Sequence, residues 1–384
     1  MKIKPRYLLI FLLAVLVLTS GCVDWWTNWW NPPTTTTSTT TVSTTSTIST
    51  TTTAPTEPST TMSTSPPETT TTSTTTITTT TIQEPIEFNV ATFNIEWLGK
   101  TMSKRQFPVS NVVDRITGQA VPKKLRNSDD YDHIAGVIGD LKADIICIQE
   151  VDMDGNYMND PQKIDELIIN PVVDRINQNH DFGLLPLDQP GAQDIGFLYN
   201  KDKFEVVGGI STLNTFSNIG GRKPVISTFK LKERKGEEEL QFTVICGHYK
   251  YPSDSTGSNL QKEQFEALIN WMEQNSTTKV IVLGDFNSDH DSSNNWVRAH
   301  ANILYNYAGW IHLDRTLEDR GDYTAWESAR DNNFYDHVFI SDEMQSYYNN
   351  QIEVYRFDEL NRSQWGLDIY RISNHRPLKA YFDP

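Results

Sequence analysis

The sequence is poor in cysteine, with only three in 384 residues. The cysteines and histidines show none of the spacings that are typical of a zinc site. Cys147 and Cys246 each lie inside an apolar run. Because free cysteine is among the most buried residue types, we expect these two to be buried thiols rather than a disulfide.

The sequence also lacks an excess of positive charge. It carries 33 Lys and Arg against 49 Asp and Glu, which gives a formal net charge of -16 and an isoelectric point near 4.9. This balance argues against a protein that holds nucleic acid by broad electrostatic attraction. It does not exclude an enzyme that binds phosphodiesters transiently through a metal ion.

The amino terminus lacks a hydrophobic run long enough to span a bilayer comfortably. Its apolar run covers only residues 7–18, follows three basic residues and ends in small residues before Cys22. This layout is typical of a secretory signal, so residues 1–21 are predicted to be a signal peptide. The ending "TSGC" is similar to a lipoprotein processing site, in which Cys22 would be lipidated. Thr19 replaces the usual Leu, which leaves ordinary cleavage and an uncleaved anchor as alternatives.

Residues 22–84 contain little that could form a core. Four tryptophans lie close together and favour a membrane interface: Trp25, Trp26, Trp29 and Trp30. Residues 33–81 are almost wholly Thr and Ser with scattered Pro, which indicates an O-glycosylated linker. We therefore expect one folded domain, residues 85–384, to be held away from a membrane surface.

This domain alternates strand-like and helix-like stretches. The predicted strands are 86–94, 143–151, 194–200, 223–231, 240–250, 278–287, 334–341 and 376–382. The predicted helices are 131–142, 164–179 and 259–274. The pattern favours two layers of sheet with helices outside them.

Polar side chains stand at the ends of these apolar strands. Asn94 and Glu96 are two positions apart, so an extended chain would place both on one face. The other polar residues at strand ends are Glu150, His248, Asp285, Asn287, Asp336 and His375. Strand ends meet along one rim of a sheet, so we expect these groups to share a cleft. Each motif alone also has a structural explanation, since Asp and Asn cap helices and turns.

In their order, the motifs "TFNIEW", "IQEV", "GHYK", "GDFN", "YDHVFI" and "SNHRPL" resemble those of the endonuclease/exonuclease/phosphatase superfamily, which has the deoxyribonuclease I-like fold. The resemblance covers the chain from Ile86 to Phe382. It implies an α+β fold of two packed, largely antiparallel sheets flanked by helices, a four-layer sandwich. It also implies hydrolysis of phosphoesters.

The resemblance implies a metal site as well. Asn94 and Glu150 would hold the ion, with Glu96 in or beside the same shell. Carboxylate and amide oxygens suit Mg²⁺, with Mn²⁺ or Ca²⁺ as alternatives. Asn374 stands where relatives usually have Asp, and an amide supplies an oxygen without charge. A second metal position that includes Asn374 is therefore in doubt.

The catalytic roles carry over in the same way. Asp285 would orient or deprotonate the attacking water, and Asn287 would align it or contact the phosphate. His248 and His375 would hold the scissile phosphate and assist proton transfer. Asp336 would accept a hydrogen bond from His375 and fix its tautomer.

Two further positions follow from the resemblance. Arg222, in "GRKPVISTF", lies where deoxyribonucleases place a phosphate-binding arginine; a solvated loop arginine is the alternative. Gln193 or Asp194 lies where relatives place a group that orients the first histidine.

The motifs specify phosphoester hydrolysis and not the ester. Residues 101–127 carry basic side chains that could follow a phosphate backbone, although a solvated insertion would look the same: Lys104, Arg105, Arg115, Lys123, Lys124 and Arg126. We predict an extracellular, membrane-tethered, monomeric Mg²⁺-dependent nuclease that acts on DNA. The alternatives are a lipid or sugar phosphodiesterase or phosphatase, of sphingomyelinase or inositol-phosphatase type, and a non-catalytic surface protein.

Overall fold

The computed structural model describes residues 87–99, 106–108, 112, 114, 117–152, 175, 182–187, 193–232, 239–326 and 332–384. The predicted signal peptide, the tryptophan cluster and the linker lie outside these residues. So do Lys104, Arg105, Arg115 and, apart from Arg175, the predicted helix 164–179. The chain divides into two units, Met1–Thr78 and Thr79–Pro384, and all described residues belong to the second.

The described residues form two six-stranded sheets and two short ribbons. The strands are β1 Phe88–Gly99, β2 Gln106–Phe107, β3 Lys124–Leu125, β4 Ile145–Asp152, β5 Phe182–Leu187, β6 Asp194–Asn200, β7 Phe204–Thr212, β8 Val225–Leu231, β9 Gln241–His248, β10 Val280–Asp285, β11 Ile311–His312, β12 Ala325–Trp326, β13 Asn332–Asn333, β14 Asp336–Ile340, β15 Tyr348–Val354 and β16 Leu378–Phe382. The first sheet has the order β15-β16-β1-β4-β6-β5, and the second has the order β11-β14-β10-β9-β8-β7. The ribbons pair β2 with β3 and β12 with β13.

Both sheets are largely antiparallel, as the resemblance implied. Only β1 with β4 and β9 with β10 pair in parallel within them. The other pairs are antiparallel. All eight predicted strands occur, and the fold prediction is confirmed.

The two longest described helices begin earlier than their apolar patterns predicted, because each has a side-chain cap. The helices are α1 Ser128–Leu141, α2 Ser255–Gln274, α3 Asn295–Arg298, α4 Ala301–Tyr305, α5 Arg315–Asp319, α6 Asp342–Gln345, α7 Phe357–Leu360 and α8 Arg362–Trp365, with 3₁₀ turns at Asn214–Phe216 and Gly366–Arg371. Asn127 caps α1 in a capping box with Asp130, and Asp254 caps α2 by accepting from the Gly257 N–H. Within the described ranges, no helix is long and apolar enough to cross a membrane.

The core has the layers of a sandwich. Alternate residues of β4 face opposite ways, so Ile145 packs between the sheets while Ile146 packs outward against α1. Between the sheets, Phe88 of β1 stacks on Phe242 of β9 with ring centroids 5.0 Å apart. On the far side, Phe265 of α2 packs on the second sheet.

Cys147 and Cys246 form a disulfide, with Cα atoms 5.5 Å apart. The prediction of two free thiols is therefore wrong. Cys147 lies in β4 and Cys246 in β9, and both point into the core between the sheets. The disulfide therefore joins the two sheets directly. The sequence showed that both cysteines would be buried but not that their strands face each other.

Candidate active site

Three catalytic candidates meet at one end of the second sheet. Asp285 ends β10 and pairs with His248, which ends β9, and with Asp336, which begins β14. Gly284 allows this close pairing, because a Cβ there would lie 2.1 Å from the Gly247 carbonyl oxygen and its φ is +148°. The strand pairing thus brings a carboxylate to the centre of the site, with a histidine on one side.

Asp285 is buried and held by amide donors. The Asn287 N–H donates to Asp285 Oδ1 at 2.8 Å, and its side-chain Nδ2 donates to Oδ2 at 3.2 Å. Asn94 Nδ2, from the first sheet, donates to the same Oδ2 at 2.9 Å. Burial raises the pKa of Asp285 to about 6, although nearby His375 opposes the shift. The carboxylate is thus ionised near neutral pH but retains affinity for a proton.

Asn94 of β1 and Glu150 of β4 lie side by side at the point where the regular pairing of these two strands is interrupted. Asn94 Nδ2 lies 3.3 Å from Glu150 Oε1. Glu150 has φ = +60°, a left-handed backbone conformation that aims its side chain out of the regular strand alternation. Burial raises the pKa of Glu150. Glu150 Oε2 is buried and has no hydrogen-bond partner among the described residues.

This arrangement fits a hard divalent cation. A buried carboxylate oxygen that lacks a donor is the kind of ligand that Mg²⁺ takes, with water completing its shell. The neighbouring amide group of Asn94 and the carboxylate of Asp285 bound the same space. The residues therefore fit the metal that the resemblance implied.

Glu96 does not follow the simple prediction of a shared face with Asn94. The pairing of β1 with β4 shifts register between Asn94 and Leu98, and Glu96 itself has φ = +52°. This bulge interrupts the alternation on which the prediction depended. The Glu96 N–H donates to Asn94 Oδ1 at 2.9 Å, and its carboxylate is the strongest electrostatic partner of the buried Arg126. Its role as a metal ligand remains a prediction.

His375 is held by the predicted partner. Its Nδ1 lies 2.8 Å from Asp336 Oδ2, and its Nε2 lies 3.8 Å from Asp285 Oδ2. Burial alone would lower the pKa of His375, but the carboxylates of Asp336 and Asp285 raise it to about 10. The imidazole is therefore a buried cation at neutral pH.

Two hydroxyl groups that sequence reasoning missed fix this pair. Ser373 Oγ accepts from the His375 N–H at 2.9 Å and donates to the Asn94 carbonyl at 2.6 Å. Thr324 Oγ1 accepts from the Asp336 N–H at 3.0 Å. Ser373 was inside a quoted motif, but its hydroxyl has no periodic signal that would mark it.

His248, in contrast to His375, is uncharged. Its Nε2 lies 3.4 Å from Asp285 Oδ2 and 3.7 Å from Glu150 Oε1. Burial, together with the positive charges of Arg222 and His375, holds the pKa of His248 well below its ordinary value. His248 is therefore neutral at neutral pH, and its Nδ1 has no partner among the described residues.

These groups open into a cavity of about 700 Å³. Arg222 lines it, and its guanidinium donates to the carbonyls of His248 and Tyr249 and to the side chain of Gln193. The arginine is thus positioned rather than solvated in a loop. Asn374 also lines the cavity. Asp194 begins β6 and is buried.

The cavity includes side chains to which the sequence assigned no role: Lys250, Tyr251 and Tyr335. Lys250 and Tyr251 follow His248 within three positions and Tyr335 precedes Asp336, but nothing in the sequence marked them as lining residues. For Arg126, by contrast, the sequence predicted a functional role that the structure does not support. It is buried and donates to the carbonyls of Ile95, Arg371 and Ile372, so the prediction that it contacts a phosphate backbone is wrong. Lys123 and Lys124 are exposed.

The buried carboxylate of Asp285 lies between two histidines and next to Glu150, a carboxylate suited to binding a cation. This arrangement is suited to hydrolysis at phosphorus. The sequence profile of the Endonuclease/Exonuclease/phosphatase family matches residues 91–348. The chain belongs to this family, whose members hydrolyse phosphoester bonds and generally use divalent metal ions.

Several solved structures are similar to the chain at low sequence identity. A 3′ phosphatase, NExo from Neisseria, bound to product DNA hairpin, has 16% identity and a TM-score of 0.50 and covers 77% of this chain and 100% of its own. Humanized D. rerio TDP2 has 13% identity and a TM-score of 0.48, covering 78% and 99%. The human Nocturnin catalytic domain with bound sulfate has 15% identity and a TM-score of 0.44, covering 78% and 95%. No curated protein matches the chain.

Proposed function

We propose that the protein is a metal-dependent phosphodiesterase that hydrolyses DNA outside the cell. One observation carries the proposal: Asp285, His248 and His375 converge beside the Asn94–Glu150 pair and line the same cavity as Arg222. His248 and Asp285 end their strands, Asn94 and Glu150 lie where the pairing of β1 with β4 shifts register, and His375 and Arg222 lie in loops that precede strands.

Each residue would have a separate role in an in-line displacement at phosphorus. Water attacks phosphorus and passes a proton to Asp285, whose pKa of about 6 suits a base near neutral pH. A new phosphorus–oxygen bond forms as the bond to the leaving oxygen breaks, the leaving oxygen takes a proton from the His375 imidazolium, and the proton on Asp285 then replaces it. His375 and Arg222 offset the negative charge on the phosphoryl oxygens, while neutral His248 donates a hydrogen bond. The products would be a 5′-phosphate and a 3′-hydroxyl.

Glu150, through Oε2, and Asn94, through the Oδ1 that accepts from the Glu96 N–H, would hold a divalent cation, with Mg²⁺ favoured by these oxygen ligands. When bound, such an ion supplies Lewis-acid stabilisation of the phosphoryl oxygens. Asn374 lines the same cavity and brings no charge, which favours one metal ion over two.

Two features support DNA as the substrate. Lys123 and Lys124 are exposed in the segment that follows β1, where they could contact a phosphate backbone. The same fold accommodates a DNA hairpin in NExo. Export and tethering are proposed from residues 1–84. The Cys147–Cys246 disulfide supports export, because disulfides persist in oxidising compartments.

The test is hydrolysis by the purified full-length protein with Mg²⁺ or Mn²⁺, of supercoiled DNA, RNA, sphingomyelin vesicles and inositol phosphates. We expect plasmid nicking that EDTA abolishes. Asp285→Asn and His375→Ala should each lower kcat by at least about 100-fold. Asp140→Asn, an exposed site on α1, should leave kcat unchanged.

Each other outcome has a meaning. Nicking that persists in excess EDTA or in Asp285→Asn would refute the mechanism. Turnover of the lipid or of inositol phosphates without nicking would replace DNA with the lipid or sugar branch. No hydrolysis of any substrate with any metal would indicate a surface protein without catalytic activity.

A further inference from the structure

A second cluster of potential ligands lies behind the catalytic strands. His312 ends β11, Asp314 follows it, and His337 lies in β14 next to Asp336. Adjacent residues of a strand face opposite ways, so His337 faces away from the side of β14 that carries Asp336. None of the three lines the active-site cavity.

Their donor atoms form a tight triangle. His337 Nδ1 lies 2.7 Å from Asp314 Oδ2, His312 Nε2 lies 2.9 Å from the same oxygen, and the two ring nitrogens are 3.2 Å apart. Tetrahedral ligands at about 2.0–2.1 Å from an ion are roughly 3.3 Å apart. The three atoms therefore lie near the spacing that one bound ion would require.

The outer contacts are those of metal ligands. A ligating histidine usually donates its second ring N–H to a carbonyl or carboxylate, and ligating carboxylates are hydrogen-bonded in turn. His337 Nε2 lies 2.9 Å from the Ser288 carbonyl. The Val338 N–H donates to Asp314 Oδ1 at 2.6 Å. Two of the three ligands thus have their remaining polar atoms fixed by backbone groups.

The surroundings are apolar. Phe339 stacks on the His312 ring at 4.4 Å, and Phe286 meets His337 edge-on at 5.5 Å. Asp314 is fully buried and His337 is 5% exposed. The Asp314 carboxylate lies in this pocket within hydrogen-bond distance of both imidazoles, and a divalent cation held by the three groups would replace the protons that link them.

We infer that His312 Nε2, Asp314 Oδ2 and His337 Nδ1 bind a zinc-type transition-metal ion, distinct from the cation at Glu150. Imidazole nitrogens select such metals over Mg²⁺ and Ca²⁺, which prefer oxygen ligands alone. The ion would tie the edge strand β11 to β14 next to Asp336, and to Ser288 next to Asn287. It would stabilise the catalytic strand ends without touching substrate.

A neighbouring group must be distinguished from this site. Asp289, His290 and Glu318 also lie close enough together to hold an ion. His290 Nδ1 lies 2.9 Å from Glu318 Oε1, the two oxygens of Asp289 accept the N–H groups of Asp291 and Phe334, and Glu318 Oε2 has no partner among the described residues. This group offers one imidazole and two carboxylates, whereas the first group offers two imidazoles and one carboxylate. An ion that prefers nitrogen ligands is therefore placed at His312.

The experiment measures zinc in the full-length protein by mass spectrometry after dialysis with Mg²⁺ and no chelator. We expect His312→Gln and His337→Gln each to lose one zinc per chain relative to wild type. Glu150→Gln and His290→Gln should keep it. Since a variant could fail to fold, X-ray absorption of the wild-type zinc protein provides an independent reading, with two imidazole ligands expected.

Wild-type protein that retains no zinc would overturn the inference. So would loss of zinc in His290→Gln, which would move the ion to the neighbouring group, or in Glu150→Gln, which would move it to the catalytic site. An absorption spectrum without imidazole scattering would do the same.

Discussion

The two histidines beside Asp285 are both buried, yet His375 is positively charged and His248 is neutral. His248 has two cations nearby, Arg222 and His375, so the pKa falls well below the ordinary value. His375 instead has the Asp336 carboxylate 2.8 Å away, which overcomes the effect of burial. Asp336, a partner that His248 lacks, is therefore the largest source of the difference in charge between the two histidines, with Asp285 adding to it.

Replacing Asp336 with Asn should lower the pKa of His375, because burial is then opposed by less negative charge. In the wild type the pKa is raised from 6.5 to about 10, so the stabilising imidazolium is fully present below pH 6.5 and is lost as the pH rises through about 10. Between these values, the free energy of unfolding of metal-free Asp336→Asn should fall less steeply than that of wild type. Urea denaturation in EDTA at a series of pH values measures how the free energy of unfolding of each protein changes with pH, with Asp140→Asn as control. The same change with pH in wild type and Asp336→Asn would contradict the pairing of His375 with Asp336.

At the level of single residues, the sequence predicted the groups that carry the chemistry better than those that support them. Asp285 and His248 were predictable because each ends an apolar run, and strand ends meet at one rim. Glu96 was not, because a bulge changes the direction of β1 at that point. Thr324 and Ser373 act through hydroxyl contacts between distant segments, which no local pattern encodes.

At the level of elements, the sequence missed the strands at all four edges of the two sheets. β5 and β15 form the edges of the first sheet, and β7 and the two-residue β11 form those of the second. β5 contains Pro186, β7 contains Gly208 and Gly209, and β15 has a polar "NNQ" at its centre. Edge strands pair on one side only, so they tolerate residues that would weaken a central strand. The central strands, which carry the site, were predictable from their continuous apolar runs.

The pairing of β9 with β10 depends on Gly284. We expect Gly284→Ala to destabilise the fold by at least about 2 kcal/mol and to lower activity, since a Cβ would collide with the Gly247 backbone between His248 and Asp285. Gly209→Ala is the matched control. It also has a positive φ, but a Cβ there meets nothing within 4 Å, so it should cost only about 1 kcal/mol and leave kcat intact. Urea midpoints and plasmid nicking measure both; equal effects of the two substitutions would refute the close-approach argument.

At the scale of the whole molecule, neither sheet contains the site by itself. Asn94 and Glu150 come from the first sheet, and His248 and Asp285 from the second. Asn94 Nδ2 bonds across to Asp285 at 2.9 Å. A shift of one sheet against the other would therefore separate the metal-binding pair from the catalytic carboxylate. The packing between the sheets, including the stacked pair Phe88 and Phe242, holds this register.

The Cys147–Cys246 disulfide crosses that packing and closes a loop with a sequence separation of 99. A cross-link of this span restricts the unfolded chain, so the double variant Cys147→Ala/Cys246→Ala should lose about 3–5 kcal/mol of stability. Its thermal midpoint should fall by roughly 10 °C. Cys22→Ala, which keeps the cross-link, should match wild type in a calorimetric scan.

Because neither buried cysteine lines the cavity, the double variant should still nick plasmid at temperatures where it stays folded. If the double variant were as stable as wild type, and if both cysteines of the wild-type protein could be alkylated after unfolding without reductant, the pair would be shown to be thiols instead. The folded domain would then give no structural support for an oxidising compartment, and the proposal of export would be supported by the amino-terminal segment alone.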